Sequence, residues 1–188
     1  MPAAVAHPGM ALRTNTVHVA AAHEHVVLGL AGFRKPDEGR AATIDEWFRQ
    51  VAAVSGARRI GVVLAANHTD GVLGLAAIKG EGGITFAQDE LTAVQRDLPH
   101  AAIASGTVDF VLPVDAIANE ITAIARHPYL RHPTATLPDL PDEQAHFNRI
   151  FRLLRTTTHV DFSFYKPTTL RRRIARRMLV HNSPSVAD

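Results

Sequence analysis

Several groups of residues have the types and spacing that chemistry requires. Eleven histidines are available as metal ligands or proton carriers. His23 and His25, one residue apart on an extended segment, would share a face and supply half a metal site. No third ligand follows at a matching spacing and no His-Glu-x-x-His occurs, so these read as surface histidines and no metal is expected. Lys79-Gly-Glu-Gly-Gly83 has the glycines of a phosphate loop. Such a loop leads from a strand into a helix and ends Gly-Lys-Ser/Thr, whereas these glycines leave a helix and enter a strand. A helix stop is the better reading. A serine nucleophile needs a tight strand-to-helix turn with a histidine and an acid nearby, and no Gly-x-Ser-x-Gly is present. Ser55 and Ser105 each precede a glycine at the end of an expected helix and read as termination residues.

Asp70 is the exception among the carboxylates. It lies just past the carboxyl end of an expected strand, where open α/β sheets carry their functional loops. A carboxylate there either orients an imidazole or caps the next helix, and position alone favours the cap. The second distinct feature is basic: Arg171, Arg172, Arg173, Arg176 and Arg177 fall within seven residues. Spacing of i, i+4 groups Arg172 with Arg176 and Arg173 with Arg177. That stripe suits an acidic partner, nucleic acid or an acidic protein helix, against the plainer reading of a solvated face.

These side chains must be positioned by elements that the pattern of apolar residues marks out. Arg59–Ala66 is a β-branched run suited to a strand buried on both faces, followed by turn residues at Asn67–Gly71. Val72–Lys79 reads as a helix, Ile84–Gln88 as a strand, Pro99–Ser105 as a short helix and Val108–Leu112 as a strand. Asp115 opens a helix to Arg126 with Ile117, Ile121 and Ile124 on one face. Alternation of this kind means βαβ units and a mostly parallel sheet. Upstream, Thr16–Ala20 and His25–Leu30 suggest a pair of strands in a hairpin, and Thr43 or Asp45 caps a helix bearing Trp47, Phe48, Val51 and Val54. Downstream, Pro128–Pro141 reads as a proline-rich linker, and Asp142–Thr156 and Thr168–His181 as helices. The expected fold is therefore α/β, an incomplete doubly wound and mostly parallel sheet, followed by a short all-α segment.

Composition narrows the functions. The 188 residues include no cysteine, which excludes disulfides, a thiol nucleophile, a Cys-based zinc site and an iron–sulfur cluster. The longest apolar runs, Val26–Phe33 and Ile60–Ala66, are too short to cross a bilayer, and no signal peptide is visible, so no membrane insertion and a cytoplasmic protein are expected. Charge is divided unevenly: residues 1–145 hold 11 basic against 16 acidic side chains, and residues 146–188 hold 9 against 2, giving the net +2. Opposite balances suggest two pieces with different partners.

Within Ile60–Pro113, three motifs fall in order: Asp70-Gly-x-x-Gly-Leu75 after a strand, Gly82-Gly-x-Thr-x-Ala-Gln-Asp89, and Pro99-x-x-Ala-Ile-x-x-Gly-x-Val-Asp-x-Val-Leu-Pro113. This stretch resembles the catalytic domain of the chemotaxis receptor methylesterases (CheB-type), with Asn15–Val19 similar to that family's middle strand. Asp161–Met178 resembles the start of the chemotaxis receptor methyltransferases (CheR-type). The order esterase, linker, methyltransferase start looks like the fused CheB–CheR proteins. It divides the chain into a partial esterase domain at 1–127, a linker at 128–141 and the start of a helical domain at 142–188.

The resemblance implies hydrolysis of receptor glutamate methyl esters by a Ser–His–Asp triad, with Asp70 matching the acid that orients the imidazole. The family's serine lies in a Gly-x-Ser-x-Gly-Gly turn after its first strand and its histidine follows the second. Neither is found here, so the chain reads as a truncated and inactive member. The loop before Asp70 also departs from the family: Ala65-Ala66-Asn67-His68 stands where a glycine-containing loop supplies an oxyanion N–H. His68 is too close in sequence to Asp70 to serve as the missing base. The methyltransferase resemblance implies that Arg172, Arg173, Arg176 and Arg177 dock on the acidic helices of a methyl-accepting receptor. No glycine-rich fingerprint for S-adenosylmethionine occurs, so no methyl transfer and no cofactor are expected. The alternative is a non-catalytic receptor-binding module. Nucleic-acid binding by the same helix has the weakest support, because no aromatics interleave the arginines. Parallel strands without neighbours would leave open edges, so a marginal fold or a sheet-completing protein partner is expected.

Overall fold

The computed structural model describes residues 1–20, 26–29, 32–36, 43–53, 59–127, 141–162, 165–183 and 186. The chain divides into two compact units, Met1–Val114 and Asp115–Asp188. The expectations for His23, His25, Ser55 and the linker at 128–140 lie outside the described residues.

The first unit carries three small sheets. β1 (Ala3–Val5) pairs in parallel with β2 (Val17–Val19), and β3 (Val27–Gly29) pairs antiparallel with β4 (Gly32–Arg34). The sequence pattern suggested one hairpin of Thr16–Ala20 with His25–Leu30; instead each segment has its own partner. β1 and β4 escape the pattern because one opens on two alanines and the other on a glycine, residues of low strand propensity. The third sheet is β5 (Ile60–Val63), β6 (Ile84–Gln88) and β7 (Phe110–Leu112), in that order and all parallel. Every residue of β6 is buried, as a central strand covered on both faces requires. α2 (Val72–Gly80) connects β5 to β6, and α3 (Asp97–Ala104) connects β6 to β7. The expected α/β arrangement of open, mostly parallel sheets followed by helices is the one observed.

α1 (Ile44–Ala53) ties the sheets of this unit together. Trp47 and Val51 pack on the cluster of Ala6, Val26, Leu28 and Phe33, and the Trp47 indole N–H donates to the Val26 carbonyl at 2.9 Å. Phe48, one residue on, turns to the cluster of Val63, Leu75, Ala87, Leu98 and Ala102. Residues 47 and 48 point about 100° apart on a helix, so one element serves two cores.

A polar seam closes the other end of the parallel sheet. Thr85, fully buried, receives the Asp109 N–H on its carbonyl at 3.0 Å and donates its own N–H to Asp109 Oδ2 at 3.0 Å. Its hydroxyl lies 2.6 Å from the Thr107 carbonyl, and Lys79 Nζ sits 3.2 Å from Asp109 Oδ1. Lys79 thus ends as a partner of Asp109 and of the Gly106 carbonyl, at 3.1 Å. The glycines after it stop α2, the Gly83 N–H donating to the Ile78 carbonyl at 2.9 Å with Gly82 at φ 84°.

The second unit contains α4 (Val114–Arg126), which straddles the division at its first residue, then α5 (Pro141–Thr158) and α6 (Pro167–His181). Ile117 and Ile124 of α4 are buried and Ile121 half-buried, as their spacing foretold. α5 begins at Pro141, a residue the composition assigns to the linker; proline suits the first helical turn, where no intrahelical acceptor awaits its nitrogen. α5 ends on His159 at φ 57°, whose N–H donates to the Arg155 carbonyl at 3.0 Å. α6 ends on Asn182, also left-handed. Buried His127 lies with Nε2 3.2 Å from the Ser183 carbonyl just beyond that cap. No helix is long and apolar enough to cross a membrane among the described residues.

Candidate functional site

Asp70 lies beyond the carboxyl end of β5, in the turn that starts α2. Its carboxylate does cap a helix, but not the one that follows it in sequence. Oδ2 accepts the Ile44 N–H at 2.7 Å and Oδ1 accepts the Asp45 N–H at 3.0 Å, both at the start of α1. The cap position of α2 is Gly71, with no side chain of its own. The acceptor for that helix comes from the opposite direction: Asp45 Oδ1 receives the N–H of Gly71 at 3.0 Å and of Gly74 at 2.7 Å. Each helix start is therefore satisfied by a carboxylate from the other, a reciprocal cap that also sets negative charge against two positive helix ends.

The crossing is close because two glycines permit it. A Cβ on Gly74 would stand 2.5 Å from Phe48 Cβ and 2.7 Å from the Asp45 carbonyl oxygen. Gly71, at φ 116°, turns the chain and leaves room for Ile44. Asp70-Gly-x-x-Gly-Leu thus encodes an acid, a left-handed turn and a helix contact point, spaced so that Asp45 meets both glycine amides. Thr43 completes the start of α1 with its hydroxyl oxygen 3.1 Å from the Glu46 N–H. Nothing in the spacing along the chain ties Asp45 to Asp70, which is why sequence reasoning offered Asp45 only as a cap for its own helix.

The loop between β5 and Asp70 is held from β6 and the segment after it. Gln88 Oε1 accepts the Ala65 N–H at 3.0 Å, while its Nε2 donates to the Thr92 hydroxyl at 3.2 Å. The Ala66 N–H donates to the Gln95 carbonyl and the Leu98 N–H to the Ala66 carbonyl, each at 3.2 Å. The exposed N–H groups of Asn67, His68 and Thr69 have no acceptor among the described residues. Each carboxylate oxygen has two lone pairs and holds one amide, so Asp70 retains capacity for about two more donors. His68 does not supply one: its ring is exposed and bonded to nothing among the described residues.

The basic stripe lies on α6. Arg173 and Arg177 are exposed and Arg176 is partly covered and engaged, while Leu170, Ala175, Met178 and Leu179 form the buried side. The backbones of Arg171 and Arg172 are helical, and their side chains are outside the description. No group of acidic, histidine or cysteine side chains suited to a metal ion occurs among the described residues.

Comparison with known proteins places both parts of the chain. Residues 1–121 match the family model for the CheB methylesterase, and residues 145–188 match the all-alpha domain of the CheR methyltransferase. A protein-glutamate methylesterase/protein-glutamine glutaminase of Burkholderia thailandensis is 35% identical over 125 residues, covering 62% of this chain and 35% of that protein. One from Carboxydothermus hydrogenoformans is 49% identical over 81 residues, 43% of this chain and 24% of that protein. An uncharacterised 104.1 kDa protein of Rhodobacter capsulatus is 33% identical over 165 residues, 77% of this chain and 17% of its own length. The chain thus spans between 17% and 35% of these relatives. The crystal structure of the Thermotoga maritima CheB methylesterase catalytic domain superposes with a TM-score of 0.55 at 25% identity, over 62% of this chain and 66% of that one. From the reciprocal cap at Asp70 to the helices beyond residue 141, these matches agree with the motifs, and the chain belongs to the CheB methylesterase family, joined here to a CheR-type all-α domain.

Proposed function

We propose that this protein serves chemotaxis signalling at methyl-accepting receptors, in the cytoplasm, as a receptor-binding relative of the protein-glutamate methylesterases. Asp70 corresponds to the acid of the Ser–His–Asp triad, and the polypeptide described by this sequence does not hydrolyse methyl esters unaided. The observation that carries the reading is the state of Asp70. Its two oxygens hold the start of α1, and no serine or histidine side chain bonds to it among the described residues. Without nucleophile and base an acid retains no triad chemistry, because the three act as a unit. The same reading assigns residues 1–127 to the esterase part, 128–141 to the linker and 142–188 to the helical part.

Receptor binding is assigned to α6, through Arg172, Arg173, Arg176 and Arg177, toward the acidic helices of the receptor. Exposure of Arg173 and Arg177 supports it. β5 has a strand neighbour on one side only among the described residues, which leaves an edge where a further strand from a protein partner can pair.

The test is methanol release from methylated receptor, run with the unaltered protein and with Asp70→Ala. No release above buffer is expected from either. Turnover that the substitution abolishes would restore the esterase and overturn the inactive assignment. Retention of the protein on receptor-loaded membranes, lost after Arg173→Glu with Arg177→Glu, is the expected companion result.

A further inference from the structure

We infer that α5 presents a second docking face, separate from α6, for an acidic amphipathic protein helix. The segment from Gln144 to Val160 contains no aspartate or glutamate, yet it carries Arg149, Arg152 and Arg155. All three are exposed, at i, i+3 and i+6 along the helix; Arg149 and Arg152 lie on the side away from buried Phe147 and half-buried Ile150, Phe151 and Leu154, and Arg155 flanks that stripe one turn after Phe151. Arg155 meets Asp161 at 3.4 Å. Arg149 and Arg152 have no acidic partner among the described residues. Like charges one turn apart repel, so folding alone gains nothing from this pair.

The shape of the face selects among anionic partners. Leu153 projects beside the arginines, 59% exposed and one turn from Arg149. A phosphate backbone has no use for an apolar knob of that size, and one leucine is too little to anchor a helix in lipid. A partner helix with carboxylates three and four residues apart repeats at the same interval as the arginines and can offer an apolar residue to Leu153.

The experiment uses the full chain and a fluorescent synthetic helix bearing Glu at i, i+3 and i+4 around a leucine stripe. Binding is followed by anisotropy at about 50 mM and about 300 mM salt, because exposed ion pairs weaken as the Debye length shrinks. Arg149→Glu with Arg152→Glu is expected to weaken binding roughly tenfold or more at low salt, and Leu153→Ala by a few-fold. Arg149→Gln with Arg152→Gln, which keeps helix propensity, should give an intermediate loss with an unchanged circular dichroism spectrum. Unchanged binding in the Arg149/Arg152 variants, with all loss confined to Arg173→Glu with Arg177→Glu, would overturn the α5 face and leave the α6 assignment standing. Equal or tighter binding to duplex DNA or to phosphatidylserine vesicles would overturn the helical partner.

Discussion

In the first unit, Asp45, Asp70 and Asp109 each receive backbone N–H groups from another element, and their charge is consumed by the fold. In the second unit, Arg149, Arg152, Arg173 and Arg177 reach solvent, and their charge satisfies nothing within the described chain. A carboxylate that closes a helix start leaves orphan donors when it is removed, at a cost to folding. An exposed arginine leaves only water behind. These charged residues therefore divide by consequence: Asp45, Asp70 and Asp109 hold the structure whether or not chemistry occurs, and Arg149, Arg152, Arg173 and Arg177 face solvent.

The contrast breaks most severely at the α1–α2 crossing. Gly74→Ala forces a methyl group into the space of Phe48 and the Asp45 carbonyl, and a loss of about 3 kcal/mol in denaturant unfolding is expected. A loss under about 1 kcal/mol would mean that the helices separate without cost. Asp45→Ala, which frees the Gly71 and Gly74 amides, should cost about 2 kcal/mol, while Asp45→Asn should recover most of it. Recovery by asparagine distinguishes acceptor geometry from charge. Thr85→Val removes the hydroxyl that bonds the Thr107 carbonyl and should cost about 1.5 kcal/mol. At the small end, Arg173→Glu with Arg177→Glu should change stability by less than about 0.5 kcal/mol, while the receptor binding proposed for α6 should become weak at every salt concentration.

How much of this was legible beforehand depends on the range of the interaction. β6 and the helices α2, α4 and α6 follow from runs and periodicities inside one segment, and their observed limits differ from the expected ones by a residue or so. The β1–β2 and β3–β4 pairings were not legible, because strands of three residues carry too few alternations to identify a partner. Asp70 was visible from its place after a strand. Its true ligands were not, since the amides of Ile44 and Asp45 lie 26 and 25 residues earlier in the chain. Tertiary contact reassigned a cap that local rules give to the next helix. The α5 arginines were hidden for a different reason: spread over i, i+3 and i+6, they are less conspicuous than the cluster on α6, and only their exposure separates them from ordinary helix residues.

The reciprocal cap is tested most directly by a double-mutant cycle on the unfolding free energies of Asp45→Ala, Asp70→Ala and the pair. Each carboxylate holds the helix start on which the other depends, so the two losses should fail to add, with a coupling of about 1 kcal/mol or more. Losses that sum to within about 0.3 kcal/mol would contradict it and show two independent caps with Asp70 free for another role.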